Sequence, residues 1–74
     1  MTRYLVRERG SDKALTVWGW YDQAVQSAVS RTFRLDIAHE IINERTGRVL
    51  LSFSRDDLVR LRRRAEQQNT APKP

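Results

Sequence analysis

The sequence predicts an α+β fold: a four-stranded antiparallel sheet with two helices on one face, in the order ββαββα. Three observations support this prediction. Two pairs of apolar segments each flank a turn signal that contains glycine. Small apolar residues at helical spacing separate the two pairs, and a helix-capping pattern follows the second pair. We expect the helices to bury one face of the sheet.

The first hairpin is predicted over residues 3–9 and 14–20. The segment RYLVRER holds a short apolar run between charged residues. The segment ALTVWGW is rich in β-branched and aromatic residues, which suit a pleated surface. Residues 10–13 (GSDK) form the turn, because Gly, Ser and Asp tolerate tight backbone geometry.

The first helix is predicted over residues 21–32, where the apolar residues change to helical spacing. Asp22 near its start and Arg31 near its end complement the helix dipole. Because its apolar stripe consists of small side chains, this helix should lie close to the sheet. The stripe comprises Ala24, Val25, Ala28, Val29 and Thr32.

Residues 34–43 (RLDIAHEIIN) are compatible with a strand or with a helix. A helix would bring Ala38, Ile41 and Ile42 together behind Asp36. We predict a strand, because the isoleucines are followed directly by a hairpin turn signal. The side chains that would then share one side of the strand are Leu35, Ile37, His39 and Ile41.

The second hairpin pairs this segment with residues 48–53 (RVLLSF), a second apolar run. The turn between them, residues 43–48, contains Gly47. Glycine can adopt the left-handed conformation that closes a type I turn with a bulge. We therefore expect an antiparallel pair joined by a tight turn.

The last helix, residues 54–68, has the clearest signals. Ser54 is a natural N-cap, and Asp57 completes a capping box in which Asp replaces the usual Glu. Phe53 and Leu58 are placed to form a hydrophobic staple across the helix start. The single domain then covers residues 1–68, and residues 69–74 (NTAPKP) form a disordered C-terminal tail. The predicted buried stripe comprises Leu58, Leu61 and Ala65, with Val59 at its edge.

Composition limits the class of protein. The 74 residues include 14 Lys or Arg, nine Asp or Glu, one His and no Cys, for a formal net charge of +5. Without Cys there is no disulfide, Cys-ligated metal or thiol nucleophile. No apolar run approaches the roughly 18 residues that span a bilayer, and the N-terminus lacks the apolar segment of a signal peptide. We expect a cytoplasmic protein that does not contact membranes.

Candidate catalytic groups are few. Asp56 and Asp57 point about 100° apart on a helix, so helix capping explains them better than acid–base chemistry. His39 has no nucleophile or carboxylate selected by its spacing, and the isolated glycines form no phosphate-binding loop. We therefore predict no enzymatic activity, metal, cofactor or small-molecule substrate.

Strand alternation assigns the side chains to two faces of the sheet. The helix-covered face should carry Val6, Leu15, Val17, Leu35, Ile37, Ile41, Val49, Leu51 and Phe53. The opposite face should carry Leu5, Arg7, Trp18, Trp20, Ala38, Glu40, Ile42, Arg48 and Leu50. This second set is too apolar for a face that meets only water. A chain this short also gains stability when a partner or a second copy covers such a face.

We therefore expect a small non-enzymatic protein-interaction module. It would act as a regulator or inhibitor that docks on a larger partner, or self-associate as a homodimer through the exposed sheet face. Trp and Tyr are favoured anchors of such interfaces. The predicted partner-binding residues are Leu5, Trp18, Trp20, Tyr21, Ile42 and Leu50.

The alternative is a basic nucleic-acid-binding protein that uses the Arg-rich last helix. Arg60, Arg63 and Arg64 share one helical face, which can bind phosphates by charge and by bidentate hydrogen bonds. Arg7 and Arg48, or the aromatic residues, would assist. The same arginines are also compatible with a solvated helix face whose cations favour the helix C-terminus.

Overall fold

A computed structural model describes residues 2–70 and confirms the predicted α+β fold and element order. The last helix includes Asn69 and Thr70, the first two residues of the predicted tail. Residues 71–74, the rest of that tail, lie outside the described residues. The elements are β1 (Tyr4–Glu8), β2 (Thr16–Trp18), α1 (Tyr21–Leu35), β3 (His39–Asn43), β4 (Val49–Phe53) and α2 (Arg55–Thr70).

The four strands form one antiparallel sheet in the order β2-β1-β3-β4. The strands β1 and β3 are therefore central, and β2 and β4 are the edges. In the turn between β3 and β4, Gly47 has a positive φ (73°), as predicted, and its N–H donates to the carbonyl of Asn43, four residues earlier, at 2.7 Å. The Asn43 side chain also accepts from the N–H of Arg45 at 2.9 Å, which stabilises the turn.

One face of the sheet, the covered face, is packed against α1. Ala24 and Ala28 of α1 are fully buried and form the core with Val6, Ile41 and Phe53. Because alanine side chains are short, the helix axis can approach the strands closely, as the stripe of small residues predicts. Around this core pack Tyr4, Trp18, Val25, Val29 and Leu58.

The predicted strand over residues 34–43 is wrong in its first half. The helix α1 continues to Leu35, and β3 begins only at His39. Asp36 ends the helix in the left-handed conformation (φ 54°, ψ 42°), and its N–H donates to the Thr32 carbonyl at 2.9 Å. Asp is one of the few residues besides Gly that adopt this conformation readily. Leu35 and Ile37 are consequently exposed and do not lie on the covered face.

The predicted faces of β2 are reversed. Trp18 lies opposite Tyr4 and packs against the core, so it belongs to the covered face. Val17 lies opposite Leu5 on the other face, the open face. A shift of one residue exchanges the two faces of a strand, and the pairing with β1 decides that shift. Leu15, also predicted on the covered face, precedes β2 and is exposed.

A β-bulge changes the predicted face of Val49. Ile41 lies opposite Leu51, but the next residue, Ile42, lies opposite Val49, so Leu50 has no partner across the pair. The extra residue brings Val49 to the open face instead of the covered face. Leu51 and Phe53 keep their predicted covered side. Three residues predicted on the open face lie outside the strands: Trp20, Ala38 and Arg48.

The predicted start of α2 is confirmed. The Ser54 N–H donates to Asp57 Oδ2 at 2.9 Å, and the Asp57 N–H donates to Ser54 Oγ at 3.2 Å, which is a reciprocal capping box. The hydrogen bond from the Ser54 backbone N–H lowers the pKa of Asp57 most, and the hydrogen bond from the Ser54 side chain lowers it less. The charges of Arg60 and Arg9 lower it further.

Of the residues predicted to form the buried stripe of α2, only the first, Leu58, packs against the core. Leu61 is 60% exposed, and Ala65 is also exposed. Every described side chain from Arg60 to Gln67 is exposed. The helix leaves the body after about one turn and gives the molecule an elongated outline of 47 × 27 × 17 Å.

His39 ties α1 to β3 inside the protein. Its side chain is fully buried, with Nδ1 2.7 Å from the Ile37 carbonyl and 3.0 Å from Thr32 Oγ1. A carbonyl oxygen only accepts, so Nδ1 carries a proton and donates to it. Nε2 has no hydrogen-bond partner among the described residues. Its complete burial shows that the His39 side chain packs inside the protein.

Replacing Thr32 with Val should destabilise the protein by about 1 kcal/mol, because it removes one hydrogen-bond partner of a buried imidazole and keeps the shape of the side chain. Urea denaturation followed by Trp fluorescence measures the loss. Ser30→Ala, at an exposed position of the same helix, is the control and should cause no loss. A Thr32→Val protein as stable as the parent would contradict the assigned hydrogen bond.

Asp57→Ala should lower the thermal midpoint at neutral pH, because the reciprocal cap is lost. A carboxylate whose pKa is lowered in the folded state stabilises the protein above its unfolded pKa, and this stabilisation disappears as the pH falls through the folded value. The difference between parent and variant should therefore shrink once the pH falls below the ordinary value of 3.8. Asp56→Ala, the neighbouring first-turn carboxylate, should cost less at neutral pH. A pH-independent difference for Asp57→Ala would refute the role of its charge.

Candidate interaction surfaces

The open face carries an apolar row that crosses the whole sheet. Leu5 lies opposite Val17 on one side and opposite Ile42 on the other, and Ile42 lies opposite Val49. Four strands at a spacing of about 4.8 Å make this row about 14 Å wide. With the bulge residue Leu50, these side chains form the open-face patch: Leu5, Val17, Ile42, Val49 and Leu50.

The accessible parts of the open-face patch lie on the edge strands. Val17 is 46% exposed, Val49 44% and Leu50 39%. Ile42, in the central strand, is only 2% exposed. A partner would therefore contact Val17, Val49 and Leu50 first, because Ile42 is almost inaccessible.

A row of paired polar groups borders the patch. Arg7 lies opposite Glu40, and its Nε donates to Glu40 Oε1 at 2.6 Å. Glu40 lies opposite Ser52, whose Oγ accepts from Arg9 Nε at 2.8 Å. The cation predicted to assist nucleic-acid binding, Arg7, is thus engaged by a nearly buried carboxylate. On this side of the patch, the charges of Arg7 and Glu40 are therefore paired with each other.

The Trp and Tyr residues predicted for the interface lie elsewhere. Trp18 packs against the core, and its Nε1 donates to Thr16 Oγ1 at 2.9 Å. Trp20 is 70% exposed at the N-cap position of α1. Tyr21 meets Tyr4 edge to face at 5.5 Å between ring centroids. A cavity of about 360 Å³ at this point is lined by Thr2, Tyr4, Gly19, Trp20, Tyr21 and Asp22.

The arginines predicted to share a helical face do so. Arg60, Arg63 and Arg64 line one cleft of about 440 Å³ on α2, together with Asp57, Leu61 and Gln67. We call Arg60, Arg63, Arg64 and Gln67 the arginine face. Arg62 projects from another side of the helix and pairs with Glu66 at 3.4 Å. Arg48 lies at the opposite end of β4 from α2, about 16 Å away along a five-residue strand.

The structure brings together part of each predicted set. Leu5, Ile42 and Leu50 meet on the open face, and the three helical arginines meet on α2. Sequence reasoning missed Val17 and Val49 as members of the patch. Their face depends on strand register and on a bulge, and neither leaves a local signal in the sequence.

Two further observations limit the chemistry of the described part. Within residues 2–70, no group of three or more His, Asp or Glu side chains is arranged to hold a metal ion. Neither described helix combines the length and apolar character that crossing a bilayer requires.

Comparisons of the chain with known proteins add no assignment. No protein-family model, no curated protein and no solved structure matches it significantly.

Proposed function

We propose that this protein is a small non-enzymatic binding module, a regulator or inhibitor that docks on a protein partner through its open sheet face. One observation carries the proposal: an apolar row crosses all four strands on the face that α1 leaves uncovered. Isolated apolar side chains are normal on protein surfaces, but a contiguous patch rimmed by polar groups is typical of an interaction site.

The energetics favour docking on this face. Complete burial of a Val or Leu side chain contributes about 1.5–3 kcal/mol. Because Val17, Val49 and Leu50 are each 39–46% exposed, covering them contributes roughly 1 kcal/mol apiece. Such a contribution supports an interface, although the partner must supply anchors of its own to reach high affinity.

The electrostatics of the face indicate an apolar partner surface. Arg7 and Glu40 already form an ion pair, with side-chain exposures of 26% and 9%. A partner that covers the patch therefore need not neutralise a buried charge, which would otherwise cost several kcal/mol. An apolar protein surface with a polar rim fits this face, and a second copy of the chain is one such surface.

Leu50→Glu should weaken partner binding at least tenfold, because it places an unpaired carboxylate in the apolar patch. Leu35→Glu is the matched control, since it makes the same change at a leucine of similar exposure (43%) at the end of α1. Partners captured with the tagged protein would be purified and their binding measured by calorimetry. Sedimentation of the protein alone tests self-association.

Both variants should fold like the parent, which circular dichroism checks. Selective loss in Leu50→Glu supports the proposal, whether the lost complex is a heteromer or a homodimer. Equal binding by Leu50→Glu and Leu35→Glu would refute it. So would a protein that sediments as a monomer and captures no partner.

A further inference from the structure

The arginine face of α2 differs in chemistry from the open-face patch. Its cleft brings Arg60, Arg63 and Arg64 together on the helix side turned away from Leu58, which packs against the core. At 100° per residue these three side chains lie within about 100° of one another, and Leu58 lies more than about 100° from each of them. We propose that this face is a second binding site, which takes the phosphodiester backbone of a double-stranded nucleic acid.

The charges on this face are available to a ligand. Arg60 contacts Asp57 at 3.7 Å, but Asp57 also accepts hydrogen bonds from the Ser54 N–H and hydroxyl, at 2.9 and 3.1 Å. That carboxylate is therefore held at the start of the helix as its cap. None of the ion pairs found among the described residues involves Arg63 or Arg64. These two guanidinium groups can bind phosphate oxygens without first breaking an ion pair.

The shape of the site suits a duplex. Residues 60–67 are exposed throughout, and eight helical residues extend about 12 Å. The same length of duplex carries about seven phosphate charges. An α-helix has a diameter of about 10–12 Å, which matches the width of the major groove of B-DNA. The backbone of such a groove can therefore meet several arginines of this face at once.

Other polyanions fit the face less well. A single strand needs aromatic side chains on which its bases stack, and residues 60–67 include none. A helix that lies on a membrane needs a broad apolar side with large residues. Within residues 60–67 the apolar side chains are Leu61 and Ala65. With no Asn and one Gln among the arginines, the contacts would be to the backbone and independent of base sequence.

The experiment measures binding of a fluorescent 20-base-pair duplex by anisotropy at several salt concentrations. Three phosphate contacts predict a slope of about −2.7 when the logarithm of the association constant is plotted against the logarithm of salt concentration. Arg63→Gln and Arg64→Gln should each reduce the steepness of that slope by about one. The double variant should bind at least tenfold more weakly at low salt.

Arg45→Gln is the matched control. It removes the same charge from an exposed position in the β3–β4 turn, at the far end of β4 from α2, and should change affinity much less. DNA and RNA duplexes of one sequence distinguish the source of the phosphodiester backbone. Polyglutamate and phosphatidylserine vesicles represent an acidic protein and an anionic membrane.

The site is supported if the protein binds either duplex more tightly than polyglutamate or vesicles. Duplex binding must also be lost selectively in the Arg63 and Arg64 variants. Failure to bind a duplex at the lowest salt would overturn it. An equal loss in Arg45→Gln would also overturn it, because net charge alone would then explain binding. Equal binding of polyglutamate or vesicles would refute the choice of nucleic acid. The Leu50→Glu protein should bind duplex like the parent, so this site and the open-face patch can fail separately.

Discussion

The close packing of α1 on the two central strands is the contact on which the rest of the molecule depends. Ala24 and Ala28 have no accessible surface, and they meet Val6 of β1 and Ile41 of β3 in the core. Short side chains let the backbones approach, so dispersion contacts accumulate over a small area. At the other end of the helix, the buried imidazole of His39 bridges Thr32 and the Ile37 carbonyl, which holds the end of α1 against the start of β3.

This packing also explains why two surfaces remain open. A chain of 74 residues provides one helix to cover one face of the sheet, and α2 reaches the core only with its first turn. The other sheet face keeps Val17, Val49 and Leu50 in contact with water, and α2 extends into solvent with its arginines. The two surfaces differ in chemistry, because Arg7 and Glu40 beside the first are paired, while Arg63 and Arg64 on the second form no ion pair with described residues. They therefore suit different kinds of ligand.

Local signals predicted the features that depend on neighbouring residues. These features are the cap formed by Ser54 and Asp57, the turn at Gly47 and the stripe of small residues on α1. All three involve residues within a few positions of one another in the chain. The grouping of the helical arginines follows equally from helix geometry, since residues three and four apart share a face. This part of the candidate sites could be derived before any tertiary contact was known.

The sequence by itself determined the element order, the fold class, the helix cap and the arginine face, because each depends on local spacing and backbone preference. The tertiary structure decided three other features: that α1 ends at Asp36, which side of β2 faces the core, and that a bulge lies at Leu50. These features place Trp18 inside, Val17 outside and Val49 on the open face. Strand register is set by pairing between segments distant in the chain, and one residue of shift exchanges the faces. For that reason, the alternation of residues within single strands could not predict which residues form the open-face patch.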